Sequence, residues 1–441
     1  MKMLNRITAL LLTLCLLLPS PMLAAQEKKL DELGAARLLD AALRRGETGI
    51  TAEVSASFDF ELCLEYTRML YPDYYGLTWS WTSPGHSVSL RADMAEPEKH
   101  KLAQKEARRI VAPLLEKGLR EEELLRAFHD IVIERCEYDY DTYRNLAIAG
   151  PEPFSAYGAL LGGKAVCDGY SAAFAMLCAA ADIPCIYVGS SELNHSWNAV
   201  FTSGGIRFVD VTYDDQKSAA GKPCDDWFLK TRGELLAMRP DWNPARCDAL
   251  TAVIWPEHYG AARILYRLGL FRGSDKGFEL ERRPRRDEAA VMLTRFLGLE
   301  SQAFDLHGAD APFDDVSAFY RPYIALLYQK GLVAGTSASK RTYSPAEPVT
   351  AQQYMTFMLR GLGYSDREGD FAWSAALEKA VALGILTPEE AAGVRGRTFD
   401  RGVMAYLSLK TLSARTAAGQ PLYQVLADKG VINLLLAREL L

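Results

Sequence analysis

Beyond its first two dozen residues, the sequence lacks any apolar run of the ~18 or more residues that a membrane-spanning helix needs, so no later segment is expected to cross a bilayer. Basic residues are not in excess either. Fifty Lys+Arg against 56 Asp+Glu leave a net charge of −6, spread without long single-sign runs. That withholds the electrostatic footprint which phosphate backbones require, and nucleic acid is not an expected partner. No two cysteines stand at the close CxxC spacing of a zinc or redox site, and the dense carboxylate pattern of an EF-hand is missing, so neither metal nor cofactor is expected. What is present is the balance of an ordinary folded protein, 49% hydrophobic and 24% charged over 441 residues, enough for about three domains.

The first residues follow a separate pattern. Lys2 and Arg6 lead into the apolar stretch Ile7 to Leu18, then Pro19-Ser20-Pro21 and the small residues Ala24-Ala25. This reads as a cleaved secretory signal over residues 1–25, too short to span a membrane, with cleavage expected between Ala25 and Gln26. Losing Lys2 and Arg6 would take the net charge from −6 to −8. Of the eight cysteines, Cys15 would leave with the signal; the remaining seven are an odd number, so at least one thiol outside the cell stays unpaired.

Residues 26–100 read as a small α+β domain: a helical pattern over Leu30 to Leu43, a β-prone Gly49 to Val54, a second helix over Phe60 to Leu70, and a hairpin of Leu77 to Thr82 and Ser87 to Ala92 around Ser83-Pro84-Gly85-His86. The aromatics Tyr71, Tyr74, Tyr75, Trp79 and Trp81 are assigned to packing. Two helices follow, Pro97 to Lys117 and Glu121 to Glu134, the second with Leu124, Leu125, Phe128, Ile131 and Val132 on one stripe. Tyr138 to Asn145 reads as a polar connection.

The chemistry concentrates between Ser155 and Tyr213. Gly162-Gly163-Lys164-Ala165-Val166-Cys167-Asp168-Gly169-Tyr170 is a loop entering the helical stretch Ser171 to Ala181, which puts Cys167 at or just before a helix start. Unpaired N–H groups and the positive end of the helix dipole favour thiolate there, and thiolate is the nucleophile. Phe174, Leu177, Cys178 and Ala181 share a helix face, so Cys178 reads as a buried small hydrophobe. After a short strand, Cys185 to Gly189, the stretches Asn194 to Phe201 and Arg207 to Tyr213 read as paired strands about the turn Thr202 to Gly205. A turn centred on Thr202-Ser203 would set His195 opposite Asp210; one centred on Gly204-Gly205 would offset them by four residues. A thiol nucleophile needs such a pair: imidazole to take its proton, and carboxylate to fix the tautomer and stabilise imidazolium.

At these residues the sequence resembles the transglutaminase-like superfamily, a papain-related cysteine fold. VCDGYSAAF is similar to the nucleophile motif, NHSWNAV to the histidine motif with its Trp two positions on, and RFVDVTYDD to the aspartate motif; SAYGALLGG looks like the segment leading into the nucleophile. One departure is Tyr213, where many relatives carry Trp. The resemblance implies an α+β fold with a transglutaminase-like core at residues 101–250. It further implies Cys167 as nucleophile, His195 as base and Asp210 as the orienting carboxylate, with acyl transfer from an amide through a thioester. Trp197 is expected at the substrate, Tyr157 is a candidate second oxyanion donor, and the backbone N–H of Cys167 is the first. Many bacterial relatives are peptidases or amidases, which favours hydrolysis of a protein or peptide substrate over cross-linking.

From about Trp255 the chain repeats itself. Helices ending at Gly269, Gly331 and Gly384 each pass through a loop into a second helix, at Asp287 to Leu297, Ala351 to Leu362 and Gly402 to Leu412. PFDDVSAFYRPYIALLYQKGLVAG in particular resembles surface-layer homology repeats, modules that hold exported bacterial proteins to cell-wall polymer. An all-α region of three such repeats is therefore expected over residues 255–441, at about 255–300, 312–364 and 370–415, followed by a C-terminal helix. The family's Thr-Arg-Ala-Glu-like signature survives in part, as Arg286 and Glu288 in the first repeat and Arg401 in the third, which the resemblance makes candidate glycan contacts. The expectation is an exported, wall-associated cysteine acyltransferase or amide hydrolase. The alternative from another class is a non-catalytic surface scaffold or wall-binding protein, and mutating His195 separates the two.

Overall fold

The computed structural model describes residues 29–441, apart from 46, 48, 56, 72–76, 83–86, 95, 146–148, 219–221, 275–276, 307–312 and 338. The expected signal at residues 1–25, the turn Ser83 to His86, and Tyr74 and Tyr75 lie outside the described residues. The chain divides into two compact units. One holds the residues up to Val200 with Ile206–Trp242; the other holds Phe201–Gly205 and Asn243–Leu441.

In the first unit, α1 (Glu32–Arg44), β1 (Gly49–Glu53), α2 (Phe60–Leu70), β2 (Leu77–Thr82) and β3 (Ser87–Met94) come first, with the antiparallel order β1-β3-β2. Asp31 and Asp59 start the two helices by accepting from the backbone N–H groups of Gly34 and Leu62. Ala35, Leu39, Val54, Cys63, Tyr71 and Leu90 form a small core of their own. Then come α3 (Pro97–Glu116), α4 (Glu121–Arg135), the two-residue strand β4 (Glu137–Tyr138) and a short α5 (Tyr140–Arg144), so the expected polar connection contains both a strand and a helical turn.

The centre of this unit is α6 (Cys167–Ala180), whose residues from Cys167 to Cys178 are all buried. A helix that is apolar all round belongs inside, and Phe174, Leu177, Phe128, Leu125 and Val200 close around it. It leaves β5 (Lys164–Ala165), which pairs in parallel with β4. An antiparallel sheet of β6 (Cys185–Ser190), β7 (His195–Thr202) and β8 (Gly205–Val209) follows, in that order. The third strand ends sooner than its sequence suggested. β8 stops at Val209, and Val211–Lys217 forms helix α7, because the Asp210 side chain accepts from Tyr213 N–H and caps a helix instead of extending the ladder. Helix α8 (Arg232–Met238) ends the unit's regular structure before Trp242.

The second unit is built of helices α9 (Ala245–Ile254), α10 (Tyr259–Arg267), α11 (Arg286–Phe296), α12 (Glu300–Asp305), α13 (Arg321–Gln329), α14 (Ala351–Gly361), α15 (Ala376–Ala382), α16 (Pro388–Arg395), α17 (Arg401–Leu412), α18 (Leu422–Asp428) and α19 (Leu434–Leu440). Gly269, Gly331 and Gly384 end α10, α13 and α15 with φ of +74°, +71° and +69°, the left-handed turn that glycine takes most readily. One core runs through all three helix pairs, including Leu265, Leu293, Ile324, Leu359, Leu377 and Leu407.

Candidate active site

The place of Cys167 follows from its local sequence. Gly163, at φ +78°, turns the chain into β5, and Val166, which has no polar side chain to cap a helix, leaves the first-turn N–H groups of α6 without a side-chain acceptor. Cys167 is the first residue of that turn. Gly169 makes the entry possible: a Cβ there would lie 2.6 Å from the Pro153 carbonyl oxygen and 2.7 Å from the Ala165 side chain. The Cys167 side chain is buried, and its thiol is close enough to the His195 imidazole to contribute to that ring's electrostatics.

Strands β7 and β8 leave Ser203 and Gly204 between them, a turn lying midway between the two positions that the sequence allowed. His195 and Asp210 nevertheless meet, with Nε2 of the imidazole 2.7 Å from Asp210 Oδ2. The carboxylate divides its oxygens: Oδ1 accepts from Tyr213 N–H at 3.1 Å and starts α7, while Oδ2 holds the imidazole. Since Asp210 takes Nε2, the other ring nitrogen, Nδ1, is left for the thiol. Burial works against a charged imidazolium, but the charge and hydrogen bond of Asp210, joined by the Cys167 thiol, outweigh it and raise the His195 pKa to about 10.

Aromatic rings fix the imidazole from its flanks. The Tyr213 ring lies 4.3 Å from it, centre to centre, and Trp197 lies 5.8 Å away. Tyr213 in turn meets Trp227 at 5.1 Å, and the Arg239 guanidinium lies over the Tyr213 ring at 5.0 Å. Trp197 packs edge-on against Trp242, and its indole N–H is buried without an acceptor. On the opposite face of β7, Asn198 donates to the carbonyls of Ser171 and Ile186 and so ties the histidine strand to α6 and β6. The Tyr157 ring receives the Lys99 ammonium at 5.4 Å, and none of the hydrogen bonds or ring contacts described for Cys167, His195 or Asp210 involves it. A cleft of about 670 Å³ lies nearby, lined by Cys136, Tyr138, Tyr140, Lys164 and Asp215 among others. Tyr138, which lines that cleft, has its ring 6.3 Å from that of Tyr170 on α6. Among the described residues, no group of three or more His, Cys, Asp or Glu side chains could hold a metal ion.

Two polar clusters around this centre were not singled out from sequence. His129 on α4 is fully buried between Asp130 and Asp214, its Nε2 lying 3.0 Å from Asp214 Oδ2, and Asp214 also accepts from Trp227 N–H. The pair links α4 to α7, the helix that Asp210 caps. His129 sits directly beside Phe128 on the apolar stripe, and a histidine there is the one signal that could have marked it. The second cluster joins Asp168, next to Cys167, with Tyr187 and Arg68.

The comparisons with known proteins enter on this geometry. Residues 108–213, which contain Cys167, His195 and Asp210, match the family model of the transglutaminase-like superfamily. This part of the chain is transglutaminase-like. Residues 312–354 match the S-layer homology domain, which associates the chain with the cell surface. A solved structure described as that of a TGase is similar at 16% identity with a TM-score of 0.21, the match covering 37% of this chain and 50% of the other. The chain thus spans half the length of that protein. No curated protein matches.

In the second unit, outside residues 312–354, Arg286 is buried and donates to the carbonyls of Ala334 and Tyr343, while Arg401 donates to those of Arg272 and Phe278. Glu288 accepts from Arg285 N–H and pairs with Arg282 at 2.9 Å. All three side chains named as candidate glycan contacts are thus occupied within the fold.

Proposed function

We propose that the transglutaminase-like core is a cysteine enzyme that cleaves or transfers amide-linked acyl groups, acting on a protein or peptide at the cell surface after export. The observation that carries this reading is the 2.7 Å bond between His195 and Asp210, with the buried Cys167 thiol at a helix N-terminus close enough to the same imidazole to raise its pKa. The Cys167 sulfur attacks the amide carbonyl, and a C–S bond forms as the carbonyl electrons move to oxygen. The N–H of Cys167 is the donor for that oxyanion, and the acceptorless indole N–H of Trp197 is a second donor on the histidine side. His195, charged beside Asp210, gives its proton to the nitrogen as the C–N bond breaks, and an amine leaves. Water, deprotonated by the now neutral His195, attacks the thioester; the C–S bond breaks and the thiol regains its proton. An amine in place of water would give transfer, and hydrolysis is favoured because it needs no second bound substrate.

The test is digestion of purified cell wall and of an unrelated protein substrate by the wild type, Cys167→Ser and His195→Ala, followed by mass analysis of the products. New amine and carboxylate ends released by the wild type alone support the hydrolase. Identical product spectra from all three proteins would leave the chain a non-catalytic surface protein.

A further inference from the structure

The residue after the nucleophile presents an electrostatic problem. Asp168 is buried in the first turn of α6, where a carboxylate suits the helix dipole, yet its negative charge one residue from Cys167 opposes formation of a thiolate. The side chain is not left alone. Tyr187, on β6, donates its hydroxyl proton to Asp168 Oδ1, and the same hydroxyl accepts from Arg68 Nη2 at 2.7 Å. Arg68 Nη2 is also 3.7 Å from Asp168 Oδ1, and its guanidinium lies 4.9 Å from the centre of the Tyr187 ring. Arg68 comes from α2, in the segment that precedes the matched transglutaminase-like residues.

The other charged or titratable groups around α6 have their own partners. His195 on β7 and Asp210 at the start of α7 are paired with each other, and Tyr138 on β4 packs against Tyr140, Tyr143 and Tyr170. Asp215 on α7 accepts from Tyr170, and His129 on α4 is held by Asp130 and Asp214. Glu106 on α3 is paired with Arg109 and Arg135, and Glu152, before β5, with Lys99. Lys164 on β5 is exposed. Among the described ion pairs, Arg68 is the cation that meets Asp168.

Resting on the catalytic reading above, we propose that Arg68 is a positioning residue for the nucleophile: through Tyr187 and directly, it offsets the Asp168 charge that would otherwise oppose a thiolate at Cys167. The N-terminal segment is then part of the enzyme's electrostatics and not an appendage to it.

The test is the rate of Cys167 alkylation by iodoacetamide from pH 5 to 10, located by peptide mass, in the full chain and its variants. For Arg68→Met the midpoint of the profile should rise by about one pH unit, so that labelling at pH 6 slows about tenfold. Arg68→Lys should recover most of the shift, and adding Asp168→Asn to Arg68→Met should restore a profile near that of the wild type. A lost contact that merely loosened the fold would not be repaired by removing a second charge. A profile for folded Arg68→Met that overlays the wild type overturns the proposal, as does an unrepaired double variant that circular dichroism shows to be folded. If the wild type itself labels like an ordinary thiol and His195→Ala changes nothing, the catalytic reading falls and takes this one with it. An activated wild-type thiol with an unaffected Arg68→Met rejects this proposal alone.

Discussion

Asp210 carries two duties on two oxygens, and a substitution can separate them. Asparagine caps a helix about as well as aspartate, so Asp210→Asn should keep the bond to Tyr213 N–H and the start of α7, while the imidazolium loses its counter-charge and the stabilisation that goes with it. Activity is then expected to fall at least about a hundredfold, and the loss of Tm relative to the wild type should shrink as the pH is raised toward 10. The same coupling sets a pH dependence. His195 is raised from 6.5 to about 10, so the folded protein holds a proton there that the unfolded chain releases. The stabilisation is complete below about 6.5 and is lost as pH rises through about 10, at no more than about 1.4 kcal/mol per pH unit. Urea unfolding of the wild type between pH 6.5 and 10 should show that decline, and His195→Gln should remove this part of it. In kinetics, the alkaline limb of kcat/KM should lie near 10 in the wild type and move toward 6.5 in Asp210→Asn, read as a property of the coupled thiol and imidazole. Trp197→Phe keeps a ring beside His195 and removes the indole N–H. If that N–H meets the substrate, kcat should fall about tenfold or more while iodoacetamide labelling of Cys167 stays unchanged.

Secondary structure near the site was legible wherever a local signal decided it. Cys167 was placed at a helix start because a glycine-bearing loop runs into a buried apolar stretch, and α2, α4 and the Gly-ended helices of the repeats follow from periodicity and capping alone. The fate of residues 210–217 was not legible in that way. Val211 and Thr212 are good strand residues, and only the capping bond made by Asp210 turns the chain into α7. Nor could the contact of Arg68 with Tyr187 be read, since it joins residues 119 apart through the packing of α2 on β6. The His129–Asp214 link belongs to the same class, and it makes a prediction about the element that it supports. Removing one partner of a fully buried pair leaves the other without its hydrogen bond, at a cost of roughly 3 kcal/mol. His129→Ala should lower stability by that order. It should also reduce activity without touching any reacting group, because α7 begins at the residue after Asp210. A variant that loses stability but keeps full kcat at low temperature would show that α7 is held by its apolar contacts alone.

The three helix pairs of the second unit, expected from sequence to be repeats, hold one another in sequence. Arg286 starts α11 and reaches the Ala334 and Tyr343 carbonyls of the next repeat, while its own N–H donates to Glu347 O and that of Asp287 to Pro345 O. Arg401 starts α17 and makes the corresponding set in the first repeat: the Arg272 and Phe278 carbonyls from its side chain, Arg282 O from its N–H, and Leu280 O from the N–H of Gly402. The third repeat thus clamps the first as the first clamps the second. At the position that would complete the set stands Ala351, the first residue of α14. The stretch of the third repeat that would receive an arginine there is different as well, because helix α16 replaces the open loop and bonds its carbonyls internally. Retention of arginine at two starts and its loss at the third therefore follow from what each has to grip. Charge-assisted bonds to carbonyls contribute about 1.5–3 kcal/mol each, so Arg286→Met, which keeps the length of the side chain and removes its donors, should cost about 3 kcal/mol in chemical denaturation. Ala351→Arg should destabilise too, since it buries a cation without acceptors. Sedimentation with purified cell wall, at a temperature where each variant is folded, then separates holding the fold from holding the wall. Undiminished sedimentation of folded Arg286→Met is expected if the arginine serves the clamp, and its loss would assign the guanidinium to the polymer.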